Sequence, residues 1–208
     1  MNMDKASAKR VETDAPATPR AAERILGVAR DLFYRRGIRA IGVEEIVRKA
    51  GVTKPSLYRN FPSKDDLAAS YLKTYEAEFW ARFDAAADAY PDDPRRQIVS
   101  YLEGLGVRSS RPGYRGCGMT NAAVEYPEPG HPARLVGEAN KRLLRQRLRD
   151  MAARMGAKDS DTLGDGLLLI FEGVLISAQL FGEDGPALAA AKNADMLIAA
   201  SISEPAAS

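Results

Sequence analysis

Apolar residues recur at helical spacing through most of the chain after residue 19. In the first such segment Ile25, Ala29 and Phe33 fall on one face of a predicted helix. Gly37 follows that segment and supplies the left-handed residue that commonly ends a helix. Comparable segments continue to about Ile202, and the strict alternation typical of a β-strand is found nowhere in the sequence. The pattern therefore predicts an all-α protein of about nine helices.

Two short helices joined by a tight turn are predicted after Gly37. Apolar residues within 43–50 form the face of the first, which Gly51 ends. The hydroxyl of Thr53 can cap the second, and Pro55 is tolerated in its first turn because an N–H there has no helical partner. Ser63 then begins a longer helix with the spacing of a capping box. Two short helices with a capped second member are typical of a DNA-binding helix-turn-helix.

The distribution of charge supports a DNA-binding role for the first part of the chain. The whole chain has a formal net charge of only +2, but residues 1–64 carry 14 basic and 7 acidic side chains, and the remainder is net acidic. A local basic excess attracts phosphates, whereas an acidic surface is repelled by DNA. The sequence therefore indicates three parts. They are a disordered arm at residues 1–18, a helix-turn-helix DNA-binding domain at residues 19–64, and a ligand-binding and dimerisation domain at residues 65–208.

The candidate DNA contacts lie on and next to the second short helix. A helix that enters the major groove presents its first residues to base edges, while residues further along reach phosphates. The candidates for the first turn are Thr53, Lys54, Pro55 and Ser56. The candidates for phosphate contact are Tyr58, Arg59, Asn60 and Lys64.

A specific motif covers the same region. It runs Ala29-x-x-Leu32-Phe33-x-x-x-Gly37, then Ile46-x-x-x-Ala50-Gly51-Val52-x-x-x-x-Leu57-Tyr58-x-x-Phe61-x-Ser63-Lys64-x-x-Leu67. This motif resembles the tetracycline-repressor (TetR-type) family over about residues 20–67. The resemblance implies a homodimer with a three-helix head on a palindromic double-stranded DNA operator, released by a small-molecule effector bound in a larger helical body. Two residues depart from the family pattern: the family usually has Thr or Ser where Gly42 stands, and His where Asn60 stands. Because Gly42 has no hydroxyl, the phosphate contact that a Thr or Ser would make there is in doubt.

The candidate effector pocket is a set of aromatic and amide residues in the second half of the chain. These residues suit a concave apolar site but also suit a plain core. The set is Tyr101, Cys117, Asn121, Phe171 and Gln179. Cys117 follows Arg115 near the start of a predicted short helix, so a thiol-based sensor of electrophiles or oxidants is an alternative to a buried filler.

Small residues in the most apolar predicted helix are candidates for the dimer interface. Gly166, Gly173 and Ser177 would let paired helices approach closely, although tight packing within one subunit explains them equally well.

Other classes of protein find little support. A single histidine, His131, gives a zinc site or a histidine-based catalytic triad little to work with, and no metal or cofactor is predicted. No uninterrupted apolar run approaches the roughly 20 residues of a membrane span, and without a signal peptide the expected location is the cytoplasm.

Two alternatives to a repressor stay open, and the first is a transcriptional activator. The rival from another class is a helical enzyme that uses the arginines of residues 142–149 on acidic substrates.

Overall fold

The computed structural model describes residues 20–202, so the predicted disordered arm lies outside the described residues. The described residues form nine α-helices and two 3₁₀ turns. The helices are α1 (Ala21–Arg36), α2 (Val43–Ala50), α3 (Lys54–Asn60), α4 (Lys64–Asp88), α5 (Pro94–Ser109), α6 (Gly118–Glu125), α7 (Pro132–Arg154), α8 (Ser160–Phe181) and α9 (Ala190–Ser201). Between residues 20 and 202 the β-type pairing is limited to a single bridge between Ala157 and Ile202. The predicted all-α class is confirmed.

Local side chains set the ends of the helices as the sequence predicts. Thr53 Oγ1 accepts a hydrogen bond from the backbone N–H of Ser56, with a donor–acceptor distance of 3.3 Å. Ser63 caps α4 in the same way, and Asp159 caps α8. Gly51 ends α2 with a φ of +62°, a left-handed conformation that a residue with a Cβ adopts at a cost. The turn from α2 to α3 is therefore fixed by two local signals, the left-handed Gly51 and the Thr53 cap.

The last helix begins later than its periodicity predicts. The apolar spacing predicts an α-helix over about Pro186–Ile202, whereas residues Pro186–Ala189 form a 3₁₀ turn and α9 starts at Ala190. Short 3₁₀ segments are frequent at helix N-termini, and apolar spacing alone does not distinguish them from a first α-helical turn.

The buried apolar residues form two clusters, and the first of them joins the two predicted domains. It contains the faces of α1, α2 and α3 together with Leu67, Tyr71 and Leu72 of α4. It also contains Met119 of α6 and Ala133 of α7. The second cluster fills the space between α4, α5, α7, α8 and α9. The predicted domain boundary after residue 64 thus falls within the first cluster, at the start of α4, and it stays a prediction.

Within residues 20–202, one helical segment is long and apolar enough to cross a membrane by length and composition alone. It spans Ser160–Asp184, with a mean hydropathy of 1.6 in its most apolar window. A search for uninterrupted apolar runs misses it, because glycines and isolated polar residues break the run. Asp165 and Glu172 of this helix form salt bridges with α7, and its apolar face packs in the second cluster. These contacts are typical of a core helix rather than of a membrane span.

Candidate DNA-binding surface and ligand pocket

The outer face of α3 is exposed while its inner face anchors it to the head. Leu57 is fully buried in the first cluster, and Phe61 is buried where the helix ends. Thr53, Lys54 and Pro55 are exposed at the start of the helix, and Tyr58 is 42% exposed. The apolar residues therefore fix the rotation of α3, and that rotation turns the candidate base-contacting residues outward.

Lys54 is held by an acidic neighbour on α2. Its Nζ lies 2.6 Å from Oε1 of Glu44, and both side chains are exposed. This hydrogen bond raises the pKa of Lys54 and lowers the pKa of Glu44. Because an exposed pair of this kind is weak, Lys54 can exchange the carboxylate for a phosphate or a base acceptor.

The remaining candidates differ in how they are held. Asn60 Nδ2 donates to the backbone carbonyl of Ser56 at 2.7 Å, which uses its amide within α3. Arg59 is exposed, and Lys64 Nζ donates to the carbonyl of Arg39 at 3.3 Å. Burial lowers the pKa of Lys64, which is partly enclosed at the start of α4.

The N-terminus of α2 carries no side-chain cap. Gly42 occupies the capping position with an extended backbone and is exposed. A Thr or Ser at this position would add a hydroxyl. Exposed Arg48, near the end of α2, is a basic residue that the sequence analysis did not single out.

A cavity of about 200 Å³ lies where the two core clusters meet. It brings together three of the five predicted pocket residues, Tyr101, Cys117 and Phe171. The other lining residues are Tyr34, Tyr75, Phe79, Arg82, Leu105, Arg108, Tyr114, Lys141, Leu144 and Leu175. Burial raises the pKa of Tyr101 to about 12, so its hydroxyl stays protonated at neutral pH. The lining is mainly aromatic, with a few charged groups.

The two other predicted pocket residues lie elsewhere. Asn121 and Gln179 line an open depression between α1, α6 and α8, outside the cavity. Asn121 Nδ2 donates to the carbonyl of Arg115 at 2.7 Å, which fastens the loop before α6. Asn121 lies on α6 and Gln179 on α8, and the Gln179 amide donates to the backbone carbonyl of Leu175 at 3.3 Å.

Tyr34 of α1 connects the head to the wall of the cavity. Its hydroxyl donates to the carbonyl of Gly116 at 3.2 Å and accepts from the N–H of Arg115 at 3.0 Å. Its ring stacks on that of Tyr75, with centroids 6.3 Å apart. Sequence reasoning missed Tyr34 because a tyrosine in an amphipathic helix carries no signal of a partner 82 residues away.

A second connection joins the far end of α6 to the loop between α1 and α2. Glu125 Oε2 accepts from the backbone N–H of Arg39 at 2.8 Å, and the Arg39 guanidinium donates to the Glu125 carbonyl at 3.0 Å. Gly37 packs against the same carboxylate, where a Cβ would lie 3.1 Å from its oxygens. The short helix α6 is thus held to the head at both of its ends.

Cys117 is 4% exposed and is one of the residues that line the cavity. The nearby ammonium of Lys141 binds Glu172, with Nζ 2.5 Å from Oε1. Burial lowers the pKa of Lys141, but its electrostatic interactions with Cys117 and Glu172 outweigh burial and raise it. Lys141 is therefore a cation at neutral pH.

The candidate dimer residues fall into two groups. A Cβ on Gly166 would lie 2.9 Å from the side chain of Leu197, so Gly166 faces α9 of its own subunit. Gly173 has open space around it and, with Ser177, lines a surface depression between α8 and α9. Several large apolar residues of the same two helices are exposed: Leu169, Ile176, Leu180, Phe181 and Met196.

The arginines of residues 142–149 on α7 are paired with carboxylates. Arg145 and Arg149 both bind Asp165, and Arg147 binds Asp84. Arg142 binds Glu138. These pairs support a structural role for the arginine-rich helix. They do not support the alternative in which the arginines of residues 142–149 bind an acidic substrate.

Comparison with known proteins addresses the family directly. The family model "Bacterial regulatory proteins, tetR family" matches residues 25–71. A solved structure from Streptomyces avermitilis, of a protein assigned as a TetR transcriptional regulator, is 34% identical with a TM-score of 0.78. That match covers 88% of this chain and 98% of the other. The chain belongs to the tetR family.

Two further tetR-family relatives support the assignment. The structure of a TetR-family transcriptional regulator from Streptomyces coelicolor is 29% identical, with a TM-score of 0.77, and covers 86% of this chain and 93% of the other. The HTH-type transcriptional regulator EthR of Mycolicibacterium smegmatis is 31% identical over 79 residues. The latter match covers 38% of this chain and 36% of EthR, so it spans about a third of that relative. The tetR-family match at residues 25–71 includes the whole of α3.

Proposed function

We propose that the protein is a homodimeric transcriptional repressor that binds a palindromic DNA operator and is released by a small-molecule effector. The observation that carries the proposal is the exposed face of α3 on a basic head whose apolar core continues into the wall of an internal cavity. Such a regulator acts on chromosomal DNA and so works in the cytoplasm. A repressor, unlike an activator, lowers transcription from a reporter when the effector is absent.

In this proposal α3 enters the major groove with its N-terminal turn first. Thr53, Lys54 and Ser56 contact base edges, and Pro55 packs beside them. Tyr58 and Arg59 contact phosphates, which fix the register of the helix without specifying sequence. Lys64 and the N-terminus of α2 at Gly42 add phosphate contacts on either side.

The α8–α9 surface supports dimerisation. Leu169 is 72% exposed and Leu180 is 71% exposed, and both lie on the same helix as the open space above Gly173. A contiguous apolar patch of this kind marks a protein interface when it occurs on a water-exposed surface. A second copy of the chain would cover it through a two-fold axis, which also places two α3 helices about 34–36 Å apart on successive major grooves.

The connections of α6 provide a route from the cavity to the head. A ligand between the clusters displaces the Cys117 end of α6 or the ring of Tyr34, both of which line the cavity. Each displacement acts on α1 or on the loop before α2 through the hydrogen bonds of Tyr34 and Glu125. A coupling of about 1–3 kcal/mol is enough to weaken operator binding between roughly 5-fold and 150-fold.

The test begins with selection of binding sites from random duplex DNA by the purified protein. We expect a palindromic winner, bound by a dimer, with Lys54→Ala weakening binding and relaxing sequence preference. Lys192→Ala is the matched control, since Lys192 is an exposed lysine on α9. A monomeric protein, or equal binding to all duplexes at moderate salt, contradicts the proposal.

A thiol sensor is the second candidate, favoured by the position of Cys117 on the cavity wall beside the Lys141 cation. A nearby cation stabilises a thiolate, the form that reacts with electrophiles. Treatment with N-ethylmaleimide should then weaken operator binding by the wild type but not by Cys117→Ser. An equal response in both proteins excludes this role for the thiol.

A further inference from the structure

The cavity between the two clusters has a cationic wall. Arg82 from α4, Arg108 from α5 and Lys141 from α7 all line it. None of the thirteen lining residues, which all belong to the described part of the chain, is acidic. The charge of Lys141 is offset by Glu172, which is not among the residues that line the cavity. The excess positive charge at the cavity therefore comes from the two arginines.

Arg82 has only a distant and shared carboxylate. Its Nη1 lies 3.9 Å from Oε2 of Glu78, which is beyond hydrogen-bond distance. Both carboxylate oxygens of Glu78 already accept hydrogen bonds from Arg30 of α1. Glu78 therefore offsets the charge of Arg82 weakly.

Arg108 is half-buried, and among residues 20–202 no carboxylate pairs with it. Its side chain folds back along α5, where the guanidinium carbon lies 5.4 Å from the ring centroid of Tyr101. Gly104 leaves room for this path, since a Cβ there would lie 2.8 Å from Arg108 Nη1. Arg108 Nη2 is buried without a hydrogen-bond partner. A buried donor in this state costs free energy that a ligand acceptor would recover.

A second polar group near Arg108 is also unsatisfied. The hydroxyl of Tyr114 is buried without a hydrogen-bond partner, and Tyr114 lines the same cavity. Apart from Arg82 and Lys141, the rest of the wall is apolar or aromatic, including Phe79, Leu105 and Phe171. The wall thus combines an arginine fork and a hydroxyl with a surface suited to a ring or a short hydrocarbon.

We propose that the effector is a small organic carboxylate, whose anionic group binds Arg108 and Tyr114 and whose apolar body packs against the aromatic wall. The inference rests on the proposed function only in taking this cavity as the effector site. Charge-assisted bonds from a guanidinium to a carboxylate are about twice as strong as neutral ones. The volume of about 200 Å³ lies below the roughly 300–1,000 Å³ of drug-sized sites, which favours a compact ligand.

The experiment compares acids with their uncharged and cationic analogues on the intact protein without DNA. The probes are benzoate, cyclohexanecarboxylate and hexanoate, each with its amide and its amine, titrated by isothermal calorimetry. We expect at least one acid to bind at least about tenfold more tightly than its amide, a difference of about 1.4 kcal/mol. The amines should not bind detectably. Equal binding of acid and amide on all three scaffolds, or no binding by any acid, overturns the proposal.

Two variants locate the binding group. Arg108→Gln should abolish the preference for the acid, whereas Arg111→Gln should keep it, because Arg111 is exposed just beyond α5 and does not line the cavity. An acid preference that survives Arg108→Gln contradicts the assignment of that residue. The comparison of acid and amide on the wild type stands by itself if Arg108→Gln fails to fold.

Operator release is measured separately by fluorescence anisotropy. Binding of the acid without release of DNA would leave the carboxylate site intact and refute the effector mechanism. Operator binding by a protein that ignores every acid would refute the carboxylate site and leave DNA binding intact.

Discussion

Truncation of Met119 should loosen the DNA-binding head although Met119 lies on α6, far from α3 in the sequence. Its side chain is 1% exposed and belongs to the first cluster, together with the buried residues of α1, α2 and α3. The helix has little room to move inward and fill the space, since a Cβ on Gly137 of α7 would lie 3.0 Å from the Met119 carbonyl oxygen. Met119→Ala should therefore leave a cavity in the core that the head shares with the body.

The expected cost follows from the burial of this side chain. Truncation of a buried methionine to alanine destabilises a protein by about 2–5 kcal/mol, with the upper end where the surroundings cannot collapse. At about 1.4 kcal/mol for each factor of ten, amide hydrogens that exchange through opening of the first cluster should exchange roughly 30-fold to several thousand-fold faster.

Native-state hydrogen exchange with mass spectrometry measures this effect helix by helix. The matched control is Met151→Ala, the same change at a buried methionine of the second cluster. Met119→Ala should accelerate exchange in α1, α2 and α3, and Met151→Ala should act mainly on α5, α8 and α9. Identical exchange patterns in the two variants, or an unaltered head in Met119→Ala, would refute the view that α6 supports the head.

Three further predictions concern DNA binding, assembly and pH. Lys64→Ala should reduce the slope of log affinity against log salt by about one, because one phosphate contact is lost, as measured by fluorescence anisotropy. Leu180→Asp should shift the protein from dimer to monomer in analytical ultracentrifugation, because it puts a charge into the apolar α8–α9 surface. Hydrogen bonds from Arg145 and Arg149 lower the pKa of Asp165 below the ordinary value of an aspartate, which is about 4. The stability that ionised Asp165 contributes is therefore present above about pH 4 and is lost as the pH falls further. Asp165→Asn should therefore reduce the loss of thermal stability below pH 4.

Each of these predictions has a control elsewhere in the chain. Lys73→Ala removes an exposed lysine further along α4 and should leave the salt slope unchanged. Val107→Asp puts the same charge on an exposed apolar position of α5 and should leave the dimer intact. Asp92→Asn should not alter the acid profile. An effect of any control equal to that of its partner variant would contradict the corresponding assignment.

The helices and their ends were predictable because short-range chemistry determines them. The caps at Thr53, Ser63 and Asp159 and the stop at Gly51 each depend on residues within four positions. The start of α9 was misplaced because a 3₁₀ turn and an α-helical turn share the same apolar spacing over four residues. Local signals therefore define the elements but not always their first turn.

Most of the candidate DNA-binding residues could be named from the sequence because they lie on one short helix and its N-cap, and their contacts with DNA stay a prediction. The cavity was only partly accessible. Tyr101 and Phe171 lie on its wall as predicted. The sequence did not show that Asn121 would line the open depression instead of the cavity. The polar side chain of Asn121 suggested a pocket residue, but its amide instead holds the loop before α6 through a hydrogen bond to the carbonyl of Arg115.

The residues that connect the cavity to the head were not predictable from one sequence. Tyr34 meets Gly116, and Arg39 meets Glu125, across more than 80 positions. Arg108 gave no sign of lining a cavity, because a lone arginine near the end of a helix normally faces water. Such contacts depend on how α1, α5 and α6 pack, and helical periodicity contains no information on that packing.

The most direct test of the account is the operator affinity of the dimer measured with wild-type and Lys54→Ala protein on the selected duplex and on a scrambled duplex of equal length. We expect the wild type to prefer the selected duplex by about 10³-fold or more, the lower end for specific DNA-binding proteins, and Lys54→Ala to lose much of that preference. Equal affinity of the wild type for both duplexes, or an unchanged preference in Lys54→Ala, would contradict the assignment of α3 as the DNA-reading helix.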